Sequence, residues 1–283
     1  MPIEITELTH IYDIGLPFEH KALDNVSLTI EDNKVTGIIG STGSGKSTLI
    51  QHFNALIRPT SGSVKVDGVD VFSKDTDKKA LRQRVGLVFQ YPEAQLFGET
   101  VEKDVAFGPK KMGVSDAEAR ERVVKSLRQV GLDFEKYAKR SPFNLSGGEK
   151  RKVAIAGILA LNPSVLILDE PTAGLDPSSR NALLGLIKSF RDDGKTLVMV
   201  SHDMDEIAHI TDNVVVMSKS KIIFSGPTSE AFSQPEMLRD AGLDVPALSI
   251  VAGLLREKGF DIPRRTWNAK NLATSIKQIV GGV

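Results

Sequence analysis

Residues 40–48 read GSTGSGKST and follow directly on the apolar run VTGII. Gly40, Gly43 and Gly45 fall within six positions. Glycine loses more backbone entropy on ordering than any other residue, so such a cluster implies a use for bare, sharply bent backbone. The pattern Gly-x4-Gly-Lys-Ser, with an apolar strand before it and a helical pattern after it, is a phosphate-binding loop. Successive N–H groups turn inward around an anion, and the helix that follows presents its positive end. Gly40, Ser41, Thr42, Gly43, Ser44, Gly45, Lys46, Ser47 and Thr48 are therefore candidate nucleotide-binding residues. Lys46 reaches the outer phosphates, and the Ser47 hydroxyl is placed to ligate Mg²⁺.

Such a loop needs carboxylates at the end of a neighbouring strand, and VLILDE (165–170) supplies them. Asp169 is the candidate to hold the metal through water. Glu170 is the candidate base, or orienter, for an attacking water. A second anion-binding helix start lies at LSGGE (145–149), where Ser146, Gly147, Gly148 and Glu149 open an apolar helix. One chain has no obvious use for two phosphate cradles. Two chains do, if the second cradle of each closes over the nucleotide held by the other.

These residues have to be carried by a scaffold. VTGIIG (35–40), VGLVF (85–89), VLILD (165–169), TLVMVS (196–201) and NVVVM (213–217) have the continuous apolar character of strands buried on both faces. Helical patterns follow several of them, at 46–56, 177–191 and 203–210, so an α/β domain with a largely parallel sheet is predicted. Residues 116–138 and 147–161 read as helices with no strand between them, which places a helical insertion at about 91–163. From residue 227 prolines recur and the pattern turns helical. Leu248, Val251 and Leu255 share one face there, and Leu272, Ile276 and Ile279 share another.

The 283 residues are 41% hydrophobic, enough for a substantial core. Lys and Arg number 36, as do Asp and Glu, and this balance argues against a broad face for nucleic acid. There is no cysteine, so disulfides and thiolate metal sites are excluded. The start MPIEITELTH lacks the pattern of a secretory signal, and no apolar run is long enough to span a bilayer. Membrane association is expected only through a partner.

LSGGE, with the phosphate loop before it and LDEPTAGLDP after it, resembles an ABC-type ATPase. The resemblance covers residues 1 to about 226. It implies a P-loop NTPase of the ABC type, with the helical subdomain inserted at about 91–163 and a C-terminal helical extension at 227–283 for ATPase dimer contacts. It implies ATP and Mg²⁺ as cofactors. Tyr12 resembles the aromatic that stacks on adenine. Gln90 resembles the glutamine that senses the metal, water and a membrane partner. His202 resembles the switch histidine at the γ-phosphate. Ala173–Asp176 resembles a loop crossing the dimer interface, although Asp176 equally suits a helix N-cap before Pro177. Glu149 stands where the family usually has Gln.

FQYPEAQLFGETVEKDVAFGP (89–109) resembles the same region of energy-coupling factor (ECF) transporter ATPases, and the extended first loop YDIGLPFEHKAL (12–23) resembles their second type. The resemblance implies an ATP-hydrolysing subunit on the cytoplasmic membrane face that powers uptake of a vitamin or other micronutrient. Its partners would be a second ECF-type ATPase, a transmembrane coupling protein and a small substrate-binding membrane protein. Arginines of the coupling helices would find acceptors among Glu93, Glu99, Glu102 and Asp104, which equally suit a solvated face. The alternatives are a cobalt or nickel importer ATPase of the same type, and a soluble ABC protein acting on nucleic acid or ribosomes. The absence of a coiled-coil insertion, of cysteines and of a second ATPase domain weighs against the soluble class.

Overall fold

The computed structural model of the chain describes residues 2–263 and 269–280. The chain opens with β1 (Ile3–Tyr12) and β2 (His20–Ile30), an antiparallel pair, and then crosses to β3 (Val35–Gly40), which leads into helix α1 (Lys46–Phe53). Strands β4 (Ser61–Val66) and β5 (Val69–Asp70) return to β1 and complete a small antiparallel sheet in the order β2-β1-β4-β5. Helix α2 (Lys78–Arg84) then feeds β6 (Val85–Val88). Four helices follow without an intervening strand: α3 (Val101–Met112), α4 (Asp116–Gln129), α5 (Phe134–Tyr137) and α6 (Gly147–Leu159). The parallel sheet resumes with β7 (Val165–Asp169), α7 (Pro177–Asp192), β8 (Thr196–Val200), α8 (Met204–Ile210) and β9 (Asn213–Ser218), and β10 (Lys221–Pro227) closes it antiparallel to β9. Among the described residues its order is β10-β9-β3-β8-β7-β6. The C-terminal part carries α9 (Thr228–Ala231), α10 (Pro235–Asp240), α11 (Ala247–Glu257) and α12 (Ala269–Val280).

The sheet explains the sequence runs that predicted it. Every residue of β3, β7 and β8 is buried, and alternate residues serve opposite layers. Val35, Leu166, Leu168, Leu197 and Met199 pack with α3, α4, α6 and α7. Ile38, Val165, Ile167, Val198 and Val200 pack with the antiparallel sheet and α1. A third cluster joins α8 and β9 to Phe232, Leu238 and Leu243, so the packing of the sheet continues past β10. Leu248, Leu255, Leu272 and Ile279 turn toward one another in a small cluster, whereas Val251 and Ile276 face outward.

Two differences from the sequence reading have local causes. The single helix read over 116–138 is two: α4 ends at Gln129, Gly131 takes a left-handed φ of 72°, and Asp133 caps the new helix α5 by accepting from Lys136 N–H. Helix α3, absent from that reading, contains Gly108 and Pro109 but starts on a firm cap, with Thr100 accepting from Lys103 N–H.

Beneath the antiparallel sheet two histidines are buried together. His52 Nδ1 donates to the Thr48 carbonyl at 2.7 Å, and its Nε2 lies 3.3 Å from His10 Nδ1, which also meets the Arg58 carbonyl at 3.1 Å. Burial pushes the His52 imidazole down to about 4, and His10 is lowered for the same reason. The unfolded chain binds more protons than the folded one between that value and the ordinary value of about 6.5. Stability is therefore full above this window and falls as pH drops through it. Unfolding of the apo chain is predicted to lose about 2 kcal/mol from this group between about pH 7 and pH 5. His52→Gln should flatten that pH dependence, as read by chemical denaturation at the two pH values.

Candidate functional site

The parallel register brings the ends of four strands together. Gly40 of β3 lies opposite Met217 of β9, and Asp169 of β7 lies opposite Val200 of β8. In open α/β sheets ligands bind outside the carboxyl ends of such strands. The loop after β3 needs its glycines for space as well as for conformation. A Cβ on Gly40 would stand 2.4 Å from the Met217 carbonyl oxygen. Gly45 has φ 103°, and a Cβ there would stand 2.3 Å from the Ala22 carbonyl oxygen. Gly45 is also the N-cap of α1 and offers no side-chain acceptor to the first turn, which contains no acidic residue. The leading N–H groups of α1 are thus left to an anion.

Lys46 folds back over the loop and donates to the carbonyls of Gly40 at 2.6 Å and Ser41 at 2.9 Å. Desolvation lowers the ammonium's pKa, and the charges of Glu170 and Asp169 oppose the shift. Burial raises the Asp169 carboxyl, while a hydrogen bond from Ser47 works the other way. Glu170 sits at the turn after β7 with a left-handed φ of 47°, its N–H bound to the Val200 carbonyl at 2.9 Å and its Oε2 2.8 Å from His202 Nδ1. Tyr12 lies edge-on to His10, with ring centroids 4.4 Å apart, and its hydroxyl is 3.3 Å from Thr48 Oγ1.

These side chains converge on one cavity of about 470 Å³, lined by Tyr12, Thr42, Gly43, Gly45, Lys46, Ser47, Thr48, Gln90, Asp169, Glu170 and His202. His20, to which the sequence attached no role, lines it as well. Gly40, Ser41 and Ser44 shape the loop from behind. Ser44 is buried and its Oγ has no hydrogen-bond partner among the described residues. An exposed aromatic, orphan helix N–H groups and a lysine fit a nucleotide. The hydroxyl and carboxylate of Ser47 and Asp169, with the Gln90 amide, form an oxygen donor set that suits a hard cation. Among the described residues no group of three or more His, Cys, Asp or Glu is placed to hold a metal ion.

Ser146, Gly148 and Glu149 lie apart, on a separate cavity of about 180 Å³ with Leu175, Ser178 and Ser179, while Gly147 takes the first position of α6. Ser146 and Glu149 form a capping box: Glu149 Oε2 accepts from both the N–H and the hydroxyl of Ser146, each at 2.9 Å, and Oε1 accepts from the Tyr137 hydroxyl at 2.7 Å. The Tyr137 bond and the Ser146 N–H hold this carboxyl down to about 2. The carboxylate is therefore turned into its own chain. Asp176 is the N-cap of α7, accepting from Ser178 and Ser179 N–H at 3.0 Å.

The structure adds residues with no motif to announce them. Buried Glu206 accepts from the hydroxyls of Thr172 at 2.9 Å and Ser201 at 3.1 Å, tying the segment that carries Glu170 to the one that carries His202. Buried Arg151 is paired with Glu93. The other acids of that region also have partners within the chain: Asp104 accepts from Phe97 and Gly98 N–H, Glu99 pairs with Lys103, and Glu102 lies 3.8 Å from Arg120.

Residues 23–173 match the family model described as ABC transporter. Over 99% of its length the chain is 52% identical to the energy-coupling factor transporter ATP-binding protein EcfA2 of Clostridium acetobutylicum, covering 98% of that protein. It is 51% identical to the protein of the same name in Symbiobacterium thermophilum, over 100% of this chain and 98% of the relative. Among solved structures it resembles cbiO1 of Clostridium perfringens, described as part of the ABC transporter complex cbiONQ, with a TM-score of 0.75 and 36% identity over 90% of this chain and 98% of that one. It also resembles a dimeric ATP-binding cassette in a post-hydrolysis state bound to ADP and Pi, with a TM-score of 0.69 and 29% identity over 80% of this chain and 98% of that one.

Lys46→Ala removes the one side-chain cation of the loop. Charge-assisted hydrogen bonds of this kind contribute about 1.5–3 kcal/mol, so ATP affinity is predicted to fall about 10- to 100-fold. Equilibrium titration with a fluorescent ATP analogue measures this, and an unchanged Kd would remove Lys46 from the site.

Proposed function

The chain belongs to the ABC transporter family as an ATP-binding subunit of the energy-coupling factor type, and from that premise we propose that it contributes one half of each of two composite ATP sites in a pair with a second such ATPase. The observation that carries this is the separation of the cavity holding Lys46, Asp169 and Glu170 from the Ser146–Gly148 helix start, which has no cavity wall in common with it. Each half is left to meet the complementary half of another subunit. The resemblance to a dimeric cassette supports the pairing.

In this reading Tyr12 takes the adenine. The loop from Gly40 to Thr48 takes the phosphates, and Ser47, Gln90 and Asp169 would hold Mg²⁺. The metal would supply charge neutralisation at the phosphates. Glu170 accepts the proton of the attacking water while the bond from the γ-phosphorus to the bridging oxygen breaks, and ADP and phosphate leave. His202 touches the outer oxygen of Glu170 and holds the carboxylate toward the cavity. Ser146, Gly147 and Gly148 of the partner-facing helix would cap the phosphate held by the other subunit. Loss of that phosphate loosens the pair, which is how hydrolysis becomes motion.

No helix among the described residues is long and apolar enough to cross a membrane. A groove of about 160 Å³ lies between the segment after β6 and α6, lined by Leu87, Pro92, Leu96, Phe107, Ile158 and Leu161. At its edge Phe97 and Phe107 are 59% and 45% exposed. This surface suits an apolar helix of a transmembrane coupling protein. The reading is then a peripheral subunit on the cytoplasmic membrane face, driving uptake of a vitamin or other micronutrient captured by a small membrane protein. The names of the curated relatives favour it over a soluble nucleic-acid or ribosome-acting protein.

Affinity purification of the chain from detergent-solubilised native membranes tests the partners. A second ABC ATPase together with polytopic membrane proteins is the expected recovery; soluble proteins or nucleic acid alone would overturn the transport reading. Glu170→Gln is predicted to slow hydrolysis about 10²- to 10⁴-fold with ATP binding retained. Near-normal turnover in a phosphate-release assay would remove Glu170 from its role.

A further inference from the structure

Arg151 lies in the second turn of α6 and is 2% exposed. All three nitrogens of its guanidinium are hydrogen-bonded. Nε and Nη2 form a two-pronged pair with Glu93, at 3.0 Å to Oε2 and 2.7 Å to Oε1. Nη1 donates to the carbonyls of Pro171 and Ala173, each at 2.8 Å. The guanidinium also lies 5.9 Å from the centre of the Tyr91 ring, and that ring is so close to the 170–174 turn that a Cβ on Gly174 would stand 3.4 Å from Tyr91 Cε1.

Three segments therefore meet on one side chain. The first is α6 itself, which begins at Ser146. The second is the loop that carries Gln90, a wall of the nucleotide cavity, and Pro92, a wall of the apolar groove. The third is the turn after β7 that carries Glu170. A buried ion pair is a poor way to add stability, because apolar side chains of similar volume serve as well or better. Its distinguishing property is direction: a planar fork with five N–H donors fixes the relative placement of what it binds, and a lysine cannot reproduce it.

We propose that Arg151 is a positioning residue that transmits displacement of the groove-lining loop to the turn carrying Glu170, so that occupation of the groove by the membrane partner sets the rate of hydrolysis. Glu93 is its lever on the loop side, and the Pro171 and Ala173 carbonyls are its grip on the catalytic side. The inference rests on the transporter reading given above.

The test compares two turnover numbers for MgATP. One is that of the complete complex with its membrane partners, reconstituted in vesicles of phosphatidylethanolamine and phosphatidylglycerol. The other is that of the full-length ATPase pair released from those partners. Their ratio measures stimulation, and a change in basal rate or in folded fraction cancels from it. Arg151→Lys is predicted to lower the ratio about fivefold or more, within the range by which single residues modulate coupling between sites. Glu93→Gln, which keeps shape and removes the charge, should lower it in the same direction. Glu93→Gln combined with Arg151→Lys should be no worse than the more severe single change, because both act through one contact. Ratios equal to wild type, including the case in which both rates fall in proportion, overturn the proposal and leave the transporter reading standing. A wild-type ratio near one overturns the transporter reading, and the proposal with it.

Discussion

An ammonium group cannot be taken out of water unless something answers its charge, and Lys46 is the place where this fold meets that requirement. Two loop carbonyls, of Gly40 and Ser41, accept from its Nζ, and the carboxylates of Asp169 and Glu170 supply the opposing field. The first demands that the loop bend back on itself, which only the glycines permit where the Met217 and Ala22 carbonyls press against it. The second demands that β7 end beside β3 with only β8 between them, which the parallel register delivers. The sheet is buried on both faces because a crossover helix or the antiparallel sheet must cover each side for those ends to align. On the proposed reading, phosphate enters a site whose positive charge is already held in place.

On the same reading the molecule is incomplete. Helix α6 begins on a cavity separate from the one that holds Lys46, and its Ser146 and Glu149 satisfy each other in a capping box. In the proposed pair, the N–H groups of its first turn take a phosphate brought by another subunit. Behind it, Arg151 and Glu206 bind the backbone and hydroxyls of the turns that carry Glu170 and His202. Polar groups buried this way set geometry rather than stability. In the proposed coupling, a displacement at one loop reaches the turn that carries Glu170 through these bonds.

Much of this was legible in the sequence wherever one physical cause dominated. The strands β3, β7, β8 and β9 are apolar on consecutive residues because both faces are covered, so they read without ambiguity. The phosphate loop read clearly because its spacing has few other uses, and the Asp-Glu pair, a weak signal alone, read through its pairing with that loop. The antiparallel strands did not. Bulges interrupt the pairing of β1 with β2 between Ile5 and Leu8, Glu7 and Asn25 take left-handed φ values of 49° and 52°, and the two-residue period is lost. Helix α3 was hidden by Gly108 and Pro109, and the break at Gly131 was hidden by the helical texture on either side of it. Arg151 and Glu93 are 58 positions apart and belong to no local pattern, so only the tertiary structure joins them. Glu149 could be placed at the anion-binding helix, but its commitment to Tyr137 could not be read in advance.

The central claim is that the catalytic cavity of one chain is finished by a helix start from another. The most direct measurement is steady-state MgATP turnover per chain as a function of chain concentration, alone and titrated with the second ATPase subunit. Two half-sites predict turnover that vanishes at high dilution, rises as subunits associate and reaches a plateau at one-to-one stoichiometry with the second subunit. A turnover per chain that stays constant across dilution, and is indifferent to the second subunit, would mean that the cavity is complete in itself and would contradict the account.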